Sequence, residues 1–166
     1  MTTERRNRWG MLLAAAAAVL VAGCGDDGAA SADGQDDVAS RAADVMPFDL
    51  EATTHRFEPV DDGLVETVVA DDHDDTGQVE LIRRHLAHEA SRFARGDYGD
   101  PATIHGDDMP GLAELEAGAG DIRVDYQLVD NGGRITHTSS TPALVDALHS
   151  WGAAQTSDHG AHADQG

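Results

Sequence analysis

Alternation with period two marks four stretches of the chain. Residues 53–58 place Thr53, His55 and Phe57 on one face and Thr54, Arg56 and Glu58 on the other, which is the spacing of a half-buried strand. A turn built from Pro59 and Asp61-Asp62-Gly63 leads into a second strand over 64–69, so the pair reads as a hairpin. Ile122, Val124, Tyr126 and Leu128 alternate with Arg123, Asp125 and Gln127 in the clearest strand of the chain, and Asp130-Asn131-Gly132-Gly133 turns it back into a fourth strand over 134–138. Period 3.6 marks the segments between and after. Val79, Ile82, Leu86, Ala90 and Phe93 form one stripe of a helix over 76–95, stopped by Gly96. A short helix is expected over 112–117. A last one starts with Thr141 as N-cap and Pro142 as first residue, carries Leu144, Leu148 and Trp151 on its stripe, and runs to about Thr156.

The order β-β-α-(α)-β-β-α predicts an α+β domain over residues 46–156: an antiparallel sheet of two hairpins with helices packed on one face. The amino terminus reads differently. Arg5, Arg6 and Arg8 precede an apolar run over 11–21, too short for a membrane span of about 20 residues and suited to the core of an export signal. It ends in Val21-Ala22-Gly23-Cys24, which resembles a bacterial lipobox, with valine in the place usually held by leucine. Residues 1–23 are then a lipoprotein signal peptide and Cys24 the lipidated residue. The protein is expected on the outer face of the cytoplasmic membrane or in the cell envelope, attached through its lipid. Residues 24–45, rich in Gly, Ala, Ser and Asp, read as a disordered acidic linker, and residues 157–166 as a polar tail containing His159 and His162.

Charge and composition narrow the chemistry. Acidic residues number 31 against 11 basic ones, for a net charge of −20, and every basic residue is an arginine. Nucleic-acid binding needs a basic face and is excluded; Schiff-base and P-loop chemistry need a lysine. One cysteine allows no intrachain disulfide. Nine histidines are what remains. His105 stands in the loop Ile104-His105-Gly106-Asp107-Asp108-Met109-Pro110-Gly111, where imidazole and thioether lie four residues apart with two carboxylates between. Imidazole with thioether suits copper, and imidazole with carboxylate suits zinc. His85 and Glu89 are four apart on one helical face. His55 shares a strand face with Phe57. His149 flanks the last helical stripe, and His159 sits in the tail. The candidate metal ligands, in order of preference, are His105, His159, His85, His55 and His149, with Met109 as a soft ligand. The competing expectation is a structural or protein-interaction lipoprotein whose histidines are paired within the fold. Acid–base catalysis by His105 beside Asp107 and Asp108 is a weaker third, since no activated nucleophile accompanies it.

Phe48-Asp49-Leu50 with Thr53-Thr54-His55, Leu81-Ile82-Arg83-Arg84-His85-Leu86, Ile104-His105-Gly106 through Met109-Pro110-Gly111-Leu112, Ala147-Leu148-His149-Ser150-Trp151 and Asp158-His159-Gly160 together resemble a family of small exported bacterial proteins often labelled aspartate carbamoyltransferase. The resemblance covers about residues 46–162. It places His55, His85, His105, His149 and His159 in shared blocks and leaves His73, His88 and His137 outside them. The label's activity does not fit the chain. Aspartate carbamoyltransferases are about twice this length and use a Ser-Thr-Arg-Thr phosphate loop. The nearest segment here, Ser139-Ser140-Thr141-Pro142, has no arginine, and no lysine is present to bind carbamoyl phosphate.

Overall fold

The computed structural model describes residues 32–159, with side chains over 37–158. The signal peptide, Cys24 and His162 lie outside the described residues, as does the side chain of His159. The elements run α1 (Ala32–Val45), β1 (Thr53–Val60), β2 (Gly63–Ala70), α2 (Thr76–Phe93), α3 (Gly99–His105), α4 (Leu112–Gly118), β3 (Arg123–Val129), β4 (Gly132–Thr138) and α5 (Pro142–His159). The class is the expected α+β: one four-stranded antiparallel sheet in the order β1-β2-β4-β3. The two hairpins meet through β2 and β4, so the edges are β1 and β3.

The strand patterns place one side chain per level on each strand. Across the sheet, Phe57, Glu66, Ile135 and Tyr126 share a level, as do His55, Val68, Gly133 and Leu128, and Pro59, Leu64, His137 and Val124. These levels face the helices. Leu64, Val68 and Ile135 are buried there with Ile82, Leu86 and Phe93 of α2 and with Leu144, Leu148 and Trp151 of α5. Helix α2 lies mainly over β4 and β3, while α5 lies over β1 and β2. Each helix therefore covers the hairpin of the other half. The central strands approach closely at both ends of their ladder: a Cβ on Gly63 would stand 1.8 Å from the His137 carbonyl oxygen, and one on Gly132 would stand 2.0 Å from that of Val68. Only glycine fits either position.

Four boundaries differ from expectation. Residues 32–45, expected as linker, form α1. Two small apolar residues one turn apart, Val38 and Ala42, are buried against Ile104, and Arg41 Nε donates to the Ile104 carbonyl at 2.6 Å. That is enough to dock a helix that has no long apolar stripe. Strand β1 continues through Pro59, which an edge strand tolerates because its missing N–H would face outward. Residues 99–105 form α3, so His105 ends a helix rather than standing mid-loop. Helix α5 extends to His159 and takes in the first residues of the expected tail.

Candidate functional site

The site is a partly open cavity with about 40 Å³ of free space between the sheet and helices α2, α3 and α5. Its polar lining is His55 from β1, Glu66 from β2, His85 and Glu89 from α2, Asp100 and His105 from α3, and Gln155 from α5. His85 and Glu89 are the pair spaced one helical turn apart. His55 and Glu66 are inward-facing by strand alternation. The Phe48 ring lies against both imidazoles, 6.0 Å from that of His55 and 5.5 Å from that of His85 between centroids.

Burial controls the charges. Glu66 is pushed up to about 8, chiefly by loss of solvation and then by the nearby Glu89 carboxylate. Glu89 is pushed up to about 7 by burial and by Asp100, with Arg92 opposing. The same desolvation lowers His85 and His105, so these rings are neutral near pH 7. One oxygen of each buried glutamate, Oε2 in both, has no hydrogen-bond partner. Such an orphan acceptor inside a protein costs roughly 1–3 kcal/mol.

His105 is paired with a carboxylate. Its Nδ1 lies 2.9 Å from Asp158 Oδ2, and its side chain is 1% exposed. Burial is the largest influence on its protonation; the Asp158 carboxylate and, more weakly, a hydrogen bond that the ring donates to Gln155 favour its protonated form but do not outweigh burial. The carboxylate–imidazole pair fixes ring orientation, as in many metal sites. The loop that follows is shaped by Gly106 and Gly111, with φ of +102° and +82°. A Cβ on Gly111 would meet the Ala147 carbonyl oxygen at 2.3 Å, so this glycine lets the loop lie directly on α5.

Met109 and His149 are not among the cavity's lining residues. Met109 is buried in the core and lines a different groove, of about 380 Å³, shared with His105, Asp108 and Asp158. His149 Nε2 lies 2.9 Å from the carbonyl oxygens of both Val60 and Gly63, tying α5 to the first hairpin turn. That bond occupies the nitrogen with a structural task. His159 closes α5, immediately after Asp158. His73 and His88 are exposed. Asp107 and Asp108 are exposed too, and Asp158 takes the role beside His105 that they were expected to fill. His137 is fully buried, and neither ring nitrogen has a hydrogen-bond partner. Burial alone lowers it to about 4.

Sequence reasoning passed over Glu66, Asp100, Gln155 and Asp158. Glu66 left a signal, since it takes the inward phase between Leu64 and Val68, where a strand buried on that face should be apolar. Among the described residues, no three His, Cys, Asp or Glu side chains stand grouped so as to hold a metal ion. Among them, too, no helix is long and apolar enough to cross a membrane. Comparison with family models, with curated proteins and with solved structures finds no match to this chain.

Proposed function

We propose that the protein is an exported, lipid-anchored lipoprotein whose cavity beneath the sheet binds a transition-metal ion, copper or zinc. The observation that carries the metal reading is convergence. His55, His85 and His105, three of the histidines in the blocks shared with the exported family, come from separate elements to line one cavity with Glu66. The cavity's size supports an ion. About 40 Å³ admits a few waters, whereas sites for organic ligands run to roughly 300–1,000 Å³. The imidazoles of His85 and His105, kept neutral by burial, and the partnerless Oε2 of Glu66 are of the donor types that zinc and copper take. Binding would draw these side chains together, since zinc takes nitrogen ligands at about 2.0–2.1 Å. Export and the anchor rest on the Arg5–Arg8 region, the apolar run and Cys24.

Calorimetric titration of the full chain, without a histidine tag, against Cu(I), Cu(II) and Zn(II) tests the metal reading. Binding should weaken at least tenfold in His105→Ala and in Glu66→Gln and stay unchanged in His149→Ala. Binding no tighter than that of a generic acidic surface, or indifferent to His105 and Glu66, sinks it. The interaction-lipoprotein reading, in which histidines serve the fold as His149 does, would then stand. Mass spectrometry of the mature amino terminus tests the anchor: the chain should begin at a diacylglyceryl Cys24.

A further inference from the structure

Helix α1 is docked on the wall of the cavity by a small set of contacts. Among its described side chains only Val38 and Ala42 are buried. They pack with Ile104 in an apolar cluster of their own, apart from the main core. Arg41 Nε donates to the Ile104 carbonyl at 2.6 Å, which ties α1 to the end of α3. Ile104 lines the cavity, and so does Met46, the residue that follows α1. His105 is next in the chain after Ile104. Its side chain is 1% exposed, and the Arg41 charge is among the influences on its ring.

The chain changes character just after α1. Pro47 has no N–H with which to continue a helix, and it biases the residue before it toward extended backbone. Beyond Pro47 the chain is fastened. Phe48 is buried in the main core. The Asp49 N–H donates to Gln78 Oε1 at 3.2 Å, and Gln78 Nε2 donates back to the Asp49 carbonyl at 2.8 Å, a two-pronged clamp onto α2. Residues 46–47 thus join a lightly docked helix to a segment fixed on the core, which is where a hinge absorbs backbone rotation.

We propose that α1 is a hinged lid, swinging as a unit about residues 46–47 and opening the cavity at Ile104 and His105. A helix that buries two small side chains opens at lower cost than the sheet beneath it, so the motion is local. The lid requires the cavity and not a metal ion, and so does not rest on the metal reading. Its place in the chain makes it the first described element to meet any pull from an anchor at Cys24.

Diethyl pyrocarbonate, which acylates accessible neutral imidazole nitrogens, reads the opening residue by residue when labelled peptides are counted by mass spectrometry. In the full chain near neutral pH, the exposed His73 and His88 should label freely, and His137, buried in the core, should stay unlabelled. Arg41→Ala and Val38→Asp should each speed labelling of His105 by about tenfold or more, with His73, His88 and His137 unchanged. Circular dichroism reports folding. A His105 rate within about twofold of wild type in the folded variants overturns the lid. So does a parallel rise at His137, which marks global unfolding. Hydrogen exchange of the wild-type chain decides should a variant fail to fold. The α1 amides should exchange roughly a hundredfold faster than those of β2 and β4. Protection of α1 equal to that of the sheet would overturn the lid.

Discussion

The two halves of the domain share one plan, a hairpin followed by a helix, and fill it with opposite chemistry. At the central level of the inner face, β2 contributes Glu66 where β4 contributes Ile135. The first half adds His55 from β1 and His85 and Glu89 from α2. The second adds Val124 and Tyr126 from β3 and Leu144, Leu148 and Trp151 from α5. Its one buried titratable group on this face, His137, is surrounded by the rings of Phe93 and Trp151 at 5.5 and 5.7 Å. A lone imidazole in such a place simply remains neutral. On the cavity the same desolvation acts on several groups at once, pushing Glu66 up to about 8 and Glu89 up to about 7 and lowering His85 and His105. The titratable lining thus comes mainly from the first half and the α3 segment, while the second half adds apolar core together with Gln155 in the cavity and Asp158 beside His105.

Trp151 joins the two, fully buried with its ring in edge contact with those of Phe57, Phe93, Tyr98 and His137. Replacing it with alanine removes these contacts, and the loss should be the largest of any single substitution considered, about 3–5 kcal/mol. Denaturant unfolding followed by circular dichroism measures it. A loss below 1 kcal/mol would mean that the two halves are not packed through this ring.

Glu66→Gln separates the halves more selectively. The folded-state value near 8 lies above the unfolded one, so the native state binds the extra proton. Its stability contribution is therefore complete below the unfolded value near 4.5 and is lost as pH rises through about 8. The metal-free wild type should lose stability as pH rises from about 4.5 to about 8. The glutamine variant should lose less and be more stable by about 1–3 kcal/mol at the upper end. Chemical unfolding at several pH values, with chelator present, would show it. Parallel curves for the two proteins would remove the buried-carboxylate account.

Asp158→Asn tests the hold on His105. Loss of such an outer partner typically weakens metal affinity about 10–100-fold, while the folded domain should lose little, because Asp158 is 24% exposed. Isothermal titration and thermal melting on the same samples separate the two effects. Equal losses in both would make the pair structural.

The smallest effect belongs to the second half. His137→Leu removes a partnerless buried imidazole and should stabilise the protein by roughly 1 kcal/mol near neutral pH. The gain should widen below pH 6.5. The wild-type ring must stay neutral in the fold down to about 4 while the unfolded chain takes up its proton, so wild-type stability falls as pH drops through that range. Metal titration should not change. Weakened metal binding in this variant would erase the division between the halves.

What could be read locally was read correctly where the pattern was long. The stripe from Val79 to Phe93 and the alternation from Ile122 to Leu128 each commit a segment to one period, and both emerged as helix and strand. Helices α1 and α3 were missed because their signals are brief. Helix α1 buries Val38 and Ala42 alone among its described side chains, and α3 has only seven residues, buries just Pro101 and Ile104, and has no side-chain hydrogen bond at its N-cap. The site divides the same way. His55, His85 and His105 could be named from the chain, since residue type and phase are local properties. Their convergence could not, nor could the exclusion of His149 and Met109, nor the arrival of Asp158 beside His105.

By itself, the sequence determined the acidic, lysine-free composition, the strand and helix phases, and which side chains would point inward, including the anomalous Glu66. Those follow from neighbours within a few residues, through backbone geometry and hydrophobic period. Tertiary structure alone decided that the hairpins would join through β2 and β4, that each helix would cross to the other half's hairpin, and that Arg92 would take Glu89 and Asp100 on one nitrogen. Those depend on contacts between elements far apart in the chain. Their energies come from desolvation and charge at distances of a few ångströms, which no local pattern encodes.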